Sequence, residues 1–112
     1  MNMTEIEYKS LKNKNTSIRN IPESSIQSHI KHYLMAKGWM VWKNHQSLGS
    51  YKGLADLTAI RNGIIIFIEV KTEKGKLSEH QKQFRDDIIR NGGNFFVARS
   101  LDDIIKITQK YI

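Results

Sequence analysis

The chain has 112 residues, a length that fits one domain with a modest core and excludes two. It contains no cysteine, which excludes disulfide frameworks and thiolate metal sites and is compatible with an intracellular setting. Its formal net charge of +7 favours a polyanionic partner such as nucleic acid, although charge alone fits a small basic protein with no such partner equally well.

The first 20 residues are polar, with more basic than acidic side chains and no sustained apolar period. We predict a flexible basic arm over 1–20, which either grips phosphates or has no role, and one folded domain over 21–112. No signal peptide is visible in the arm, and the longest apolar run, 64–68, is far too short to span a membrane. We therefore expect an intracellular protein with no membrane partner.

A helix is predicted after Pro22, which suits the first turn of a helix because it needs no N–H there. Gly38 is expected to end it. Its predicted buried stripe is Ile26, Ile30, Tyr33 and Leu34. His29 and His32 lie three residues apart on this helix, and without other His or Cys nearby we interpret them as solvated or phosphate-facing.

Residues 39–44, WMVWKN, have the aromatic and β-branched content of a strand. The loop over 45–52 then leads directly to Asp56, and a loop that enters a site is a common place for substrate contacts. Four residues of this strand and loop are candidates to contact the phosphodiester backbone of DNA: Lys43, His45, Tyr51 and Lys52.

The pair Asn62-Gly63 lies between two runs of β-branched and apolar residues, and this pattern predicts a two-residue type I′ turn. Such a turn fixes the register of the hairpin, so that Asp56 is expected to lie opposite Glu69. Opposed carboxylates repel each other unless a cation lies between them. Lys71 shares a strand face with Glu69 because alternate residues of a strand point the same way. The hairpin therefore predicts a cluster of two acids and one lysine.

Apolar residues near the turn lie on both faces of the hairpin, which indicates a sheet covered on both sides. Ser78 and Gln81 have capping-box spacing ahead of a helix whose predicted buried stripe is Phe84, Ile88 and Ile89. After the glycines at 92 and 93, residues 94–99 are expected to form a strand parallel to the second hairpin strand.

Ser100, with acids at 102 and 103, is expected to start a last helix that runs through Lys110. Its predicted inward-facing residues are Leu101, Ile104, Ile105 and Thr108. This helix should close the sandwich.

An Asp on one strand followed by Glu-x-Lys on the next resembles the signature of the PD-(D/E)XK nuclease superfamily. The wider pattern, from about Pro22 onwards, is similar to the VRR-NUC family of that superfamily. The residues that carry it are 52–57 (KGLADL), 68–71 (IEVK), Leu77-Ser78 and Gln81. Ala55 stands where the superfamily signature has Pro, a residue with no chemical role. The resemblance implies a restriction-endonuclease-like αβα sandwich with a mixed central sheet.

The resemblance also implies a metal-dependent nuclease site. Oxygen ligands from Asp56 and Glu69, with a backbone carbonyl such as that of Val70, suit Mg²⁺ or Mn²⁺. Lys71 would orient or help deprotonate a water and offset negative charge in the transition state. A surface salt-bridge cluster is the alternative interpretation of these three side chains.

Two further residues have roles that the resemblance implies and the sequence leaves open. Glu23 could support the metal, or it could be only a first-turn acid favoured by the helix dipole. Gln81 could cap its helix, take part in catalysis, or do both.

We therefore expect a structure-specific DNA endonuclease that hydrolyses phosphodiester bonds, with a Holliday-junction resolvase as one form of that activity. The alternatives are a flap or duplex nuclease of restriction or repair, and a catalytically silent DNA-binding module. Two matched cuts in a branched DNA need two sites, so we expect a homodimer with two-fold symmetry. The aromatic residues that could supply its interface, or could equally be core, are Trp39, Trp42, Tyr51 and Tyr111.

Overall fold

The computed structural model describes residues 21–111, which contain three helices and four strands. The helices are α1 (Glu23–Ala36), α2 (Glu79–Arg90) and α3 (Leu101–Gln109). The strands are β1 (Met40–Lys43), β2 (Leu57–Arg61), β3 (Ile64–Val70) and β4 (Asn94–Ala98). The arm predicted over 1–20 lies outside the described residues.

The four strands form one mixed sheet in the order β1-β2-β3-β4. Neighbouring strands are antiparallel from β1 to β3, whereas β4 runs parallel to β3. The chain reaches β4 through α2, as a parallel connection requires. The α/β class and the mixed sheet are thus confirmed.

The turn between β2 and β3 has the conformation that its sequence predicts. Asn62 and Gly63 have φ values of 50° and 79°, the positive values that a type I′ turn needs. The register is also the expected one, but regular pairing of β2 ends at Leu57 opposite Ile68. Asp56 therefore lies one residue before the strand, and Glu69 pairs with Val97 of β4.

Helices cover both faces of the sheet. On one face, α1 and α3 enclose the main core with the alternate strand residues Leu57, Ala59, Ile66, Ile68 and Val70. On the other face, Phe84 of α2 packs edge-on against Phe67 and Phe95, with ring centroids 5.5 and 6.0 Å apart. The inward-facing residues predicted for α1 and α3 are all buried.

Three details differ from expectation. Pro22 takes the N-cap position of α1, one residue before the first turn. Ile89 was predicted to be buried but is 56% exposed, because it lies about 140° around the helix from Phe84 and so points away from the sheet. Trp39 is a core residue that packs edge-on against Tyr111, so of the four aromatics considered for an interface only Trp42 and Tyr51 are exposed.

No helix within residues 21–111 is long and apolar enough to cross a membrane.

Candidate active site

Hydrogen bonds from the ends of the two neighbouring strands, β3 and β1, hold Asp56 in place. The Oδ2 atom of Asp56 accepts a 2.7 Å hydrogen bond from the backbone N–H of Val70, which ties the end of β3 to the start of β2. On the β1 side, the backbone N–H of Asn44 donates to the carbonyl of Asp56 at 2.8 Å. The Asn44 side chain also donates to Ala55 and Thr58, at 3.0 and 2.7 Å. Asn44 therefore supports the position of Asp56, a role that the sequence patterns do not predict.

Glu69 is the buried acid of the cluster, with only 2% of its surface exposed. Its Oε2 atom accepts a 2.9 Å hydrogen bond from Gln81 and lies 3.6 Å from the ammonium of Lys71. Its Oε1 atom is buried and receives no hydrogen bond from any donor in the described part of the chain. A buried carboxylate oxygen without a donor is unusual, and either a proton on the carboxyl or a bound cation would satisfy it.

The surroundings of Glu69 favour its neutral form. Burial is the largest cause and, with the negative charge of Asp56 next, raises the pKa of Glu69 to about 8. Lys71 opposes this rise, while a hydrogen bond with the Asp56 carboxyl and the charge of Glu23 add to it. The two acids expected from the hairpin register are thus close enough to interact.

Gln81 joins the helix cap to the acid cluster. Ser78 and Gln81 form a complete capping box at the start of α2, in which Gln81 Oε1 accepts from the Ser78 N–H at 2.8 Å. The Nε2 atom of the same amide donates to Glu69 Oε2. Gln81 therefore caps its helix and also contacts the acid cluster.

The loop before Asp56 packs closely on α2. Gly53 has a φ of 77°, and a Cβ atom at this position would overlap with the backbone carbonyl of His80. Tyr51 packs its ring edge-on against Phe84 with centroids 5.3 Å apart, and its hydroxyl donates to Asp87. These contacts hold the first turn of α2, and with it Gln81, beside the strand end that carries Asp56.

Comparison with known protein families identifies the family of this chain. The family model of the VRR-NUC domain matches residues 3–102. The chain belongs to the VRR-NUC family. A solved structure of a VRR-NUC domain is similar to it, with 30% sequence identity and a TM-score of 0.71 over 80% of this chain and 97% of that one. A search of curated proteins finds no match to the chain.

Membership of the VRR-NUC family, a nuclease-type domain, confirms the family resemblance inferred from the sequence. In this VRR-NUC chain the three residues meet at the ends of β2 and β3, with Gln81 arriving from α2.

The candidate DNA contacts of this VRR-NUC domain lie on two sides of the acid cluster. Lys43, at the end of β1, lines a cleft that also includes Leu57, the neighbour of Asp56. Lys52 lines a second cleft with Gln81. His45 is exposed in the connecting loop, and Tyr51, although half exposed, also anchors that loop to α2.

The acids available for a metal are few. Between residues 21 and 111, no group of three or more His, Asp or Glu side chains is close enough to hold a metal ion. Glu23 therefore influences Glu69 through its charge but does not complete such a group with Asp56. Two carboxylates are nevertheless a sufficient protein contribution for Mg²⁺, which keeps several waters and often binds substrate phosphates.

Proposed function

We propose that this VRR-NUC domain is a metal-dependent endonuclease that hydrolyses DNA phosphodiester bonds. The observation that carries the proposal is the carboxylate of Glu69, buried beside Asp56 with one oxygen that lacks any hydrogen-bond donor. Without a cation this pair of acids is unfavourable, because burial and like charge both oppose ionisation. A module that only binds DNA would have no use for such a pair.

Asp56 and Glu69 would hold the metal, with the backbone carbonyl of Val70 as a further oxygen ligand and Glu23 as an outer support. The donor set contains oxygen alone, and hard cations such as Mg²⁺ or Mn²⁺ prefer it. When bound, such an ion polarises the scissile phosphate and lowers the pKa of a water molecule.

The other residues of the cluster have positioning and charge roles in this proposal. Gln81 and Lys71 engage Oε2 of Glu69, which leaves Oε1 for the cation. Lys71 would also orient the attacking water through its ammonium N–H groups and offset negative charge that develops on the phosphate. Lys43, His45, Tyr51 and Lys52 would contact the DNA backbone around the cut.

The substrate that we propose is branched DNA, with the four-way Holliday junction as the leading candidate and flaps or plain duplexes as alternatives. The test is incubation of the purified protein with labelled four-way, flap, duplex and single-stranded DNA in Mg²⁺, Mn²⁺ or EDTA. We expect internal cuts in either metal and none in EDTA, with the junction cut fastest. Absence of cleavage on every substrate in both metals would leave a DNA-binding module instead.

A further inference from the structure

A polar cleft of about 220 Å³ lies between α1 and the β1 side of the sheet. Five residues of α1 line it: Ser24, Gln27, Ser28, Lys31 and His32. The sheet contributes Lys43 and Leu57. The five helical residues follow one another at intervals of three, one, three and one, so they form a continuous stripe on a single face of α1.

The lining of this cleft is suited to an anion. It offers two ammonium groups, two hydroxyls, an amide and an imidazole, and no acid of the described chain is part of it. Neither Lys31 nor Lys43 forms an ion pair within residues 21–111. Two lysines at one cleft that have no acidic partner among residues 21–111 leave a local positive charge that a phosphate group would neutralise.

His32, which lines the cleft, has a polar atom without a hydrogen-bond partner within residues 21–111. Its Nδ1 atom is buried and has no hydrogen-bond partner in the described part of the chain. A buried polar atom without a partner is unfavourable, so a rotation of the imidazole that brings Nδ1 to an oxygen of a bound ligand would be stabilising.

The cleft adjoins the candidate active site. Leu57 directly follows Asp56 in the chain, and Ser24 directly follows Glu23, whose charge acts on Glu69. A ligand in the cleft would therefore lie at the sheet edge that carries the acid cluster, on the α1 face of the sheet, whereas Lys52 and Gln81 line the cleft on the α2 side.

We propose that this cleft binds a backbone phosphate of the DNA strand being cut, a neighbour of the scissile phosphate. Lys31 and Lys43 would supply the charge, and Ser24, Ser28 and His32 would donate hydrogen bonds. The proposal rests on the nuclease function, because it is that function which brings a DNA strand across the acid cluster. The cleft would be an additional binding position, or subsite, that fixes the alignment of the DNA strand across the acid cluster.

The first test compares two double variants that each remove two positive charges. The cleft variant, Lys31→Gln with Lys43→Gln, removes both positive charges from the cleft. The control variant, Lys106→Gln with Lys110→Gln, removes two positive charges at the C-terminal end of α3. Binding of fluorescent four-way DNA is measured in EDTA over a range of salt concentrations. Far-ultraviolet circular dichroism and thermal melts are recorded for both variants, to show that each one is folded.

For the cleft variant we expect affinity to fall roughly tenfold at low salt, and the slope of log affinity against log salt to fall by about 1 in magnitude. The control variant should stay close to the wild-type protein. Equal losses in the two variants would show that only net charge matters and would overturn the subsite.

The second test locates the phosphate. Single phosphates near the cut are replaced one at a time by uncharged methylphosphonates, and each DNA is bound to wild-type and cleft-variant protein. At one position the replacement should weaken wild-type binding but have no further effect on the variant. If losses are additive at every position, the cleft does not hold a phosphate.

The two proposals can fail separately. Cleavage by wild-type protein in Mg²⁺ reports on the nuclease function, whereas the binding experiments in EDTA report on the cleft. Wild-type cleavage together with a cleft variant that binds like the control would refute the subsite alone. A wild-type protein that does not cut would refute the nuclease function and, with it, the position of the phosphate beside a scissile bond.

Discussion

The carboxyl group of Glu69 is surrounded by features that disfavour its charge, and this determines when the site can accept a cation. A carboxyl with a pKa of about 8 is largely protonated at neutral pH in the metal-free protein. In the proposed metal-dependent site a metal ion would have to displace that proton, so metal affinity should rise with pH and binding should release protons. Ionised Glu69 therefore destabilises the metal-free protein, and a nearby positive charge would relieve this destabilisation.

The first prediction concerns the stability of the metal-free protein as a function of pH. The folded pKa of Glu69 lies above its ordinary value of 4.5, so the folded state binds the proton more tightly than the unfolded state. The stabilisation is fully present below pH 4.5 and is lost as the pH rises towards 8, at about 1.4 kcal/mol for each pKa unit.

Glu69→Gln removes this titration while keeping the shape of the neutral acid. In EDTA its melting temperature should therefore exceed that of the wild-type protein at pH 8, and the difference should shrink towards pH 5. The check is a set of thermal melts of both proteins across that range. A difference that stays constant with pH would mean that Glu69 is not a buried acid with a raised pKa.

At the residue scale, the sequence predicts the cluster of two acids and one lysine, but not every residue that holds this cluster in position. Asp56, Glu69 and Lys71 follow from turn chemistry and strand alternation, which are local rules. The contact between Gln81 and Glu69 depends on how α2 docks, which no local rule gives. Asn44 was missed for the same reason, since its hydrogen bonds reach residues 11 and 14 positions away.

Among the elements, the contact between the loop over 45–56 and the first turn of α2 is what assembles the site. Gly53 permits this contact because it has no side chain where the backbone of His80 passes. We therefore expect Gly53→Ala to displace α2 from the strand end and break the hydrogen bond from Gln81 to Glu69. Both the stability and the cleavage rate should fall.

Gly49→Ala is the matched control for this prediction. Gly49 has a φ of 90° but open space around its Cβ position, so both variants carry the cost of a positive φ, about 1–2 kcal/mol. Only Gly53→Ala adds an overlap, for a further cost of roughly 1–3 kcal/mol. Urea unfolding of the two variants gives the comparison, and equal losses would contradict the proposed close contact.

The sequence predicts the elements better than their packing. The hairpin register follows from two residues that both need positive φ, and the start of α2 follows from its capping box. Ile89 was misplaced because its spacing from Phe84 fits a broad apolar stripe, whereas α2 buries only a narrow one. The role of Gly53 depends on a close approach between distant segments, which composition does not reveal.

On the scale of the whole molecule, the helices within residues 21–111 leave one part of the sheet surface uncovered. Met40, Ile60 and Ile65 are cross-strand neighbours on the face that α2 covers only over β3 and β4. Met40, Trp42 and Ile65 are 67%, 41% and 44% exposed. A contiguous exposed apolar face is typical of an interaction surface, and we infer that a second copy of the chain covers this one.

We predict a homodimer with two-fold symmetry, as two matched cuts in a junction require. Light scattering at micromolar concentration should give about twice the chain mass of 13.0 kDa. Trp42→Glu should give the mass of one chain and lose paired cutting, whereas Met35→Glu, on an exposed position of α1, should not. A monomeric wild-type protein that prefers flaps would contradict the dimer and the junction as substrate, but not the nuclease function.

The basic arm predicted over 1–20 is expected to add affinity without choosing the bond that is cut. Deletion of residues 1–20 should weaken DNA binding and reduce its dependence on salt, because fewer phosphates are neutralised. Binding titrations and mapping of the cleavage sites test the two halves of this prediction. A shifted cleavage pattern would show instead that the arm positions the substrate.

If Glu69 and its neighbours form a metal-dependent nuclease site, loss of the Glu69 charge should remove cleavage. Cleavage of labelled four-way DNA in Mg²⁺ is measured for the wild-type protein, Glu69→Gln and the control Glu79→Gln, whose side chain is 90% exposed. Glu69→Gln should cut at least roughly 10²–10³-fold more slowly while binding DNA in EDTA no less tightly, and Glu79→Gln should cut normally. Cleavage by Glu69→Gln at the wild-type rate would contradict the assignment of the active site.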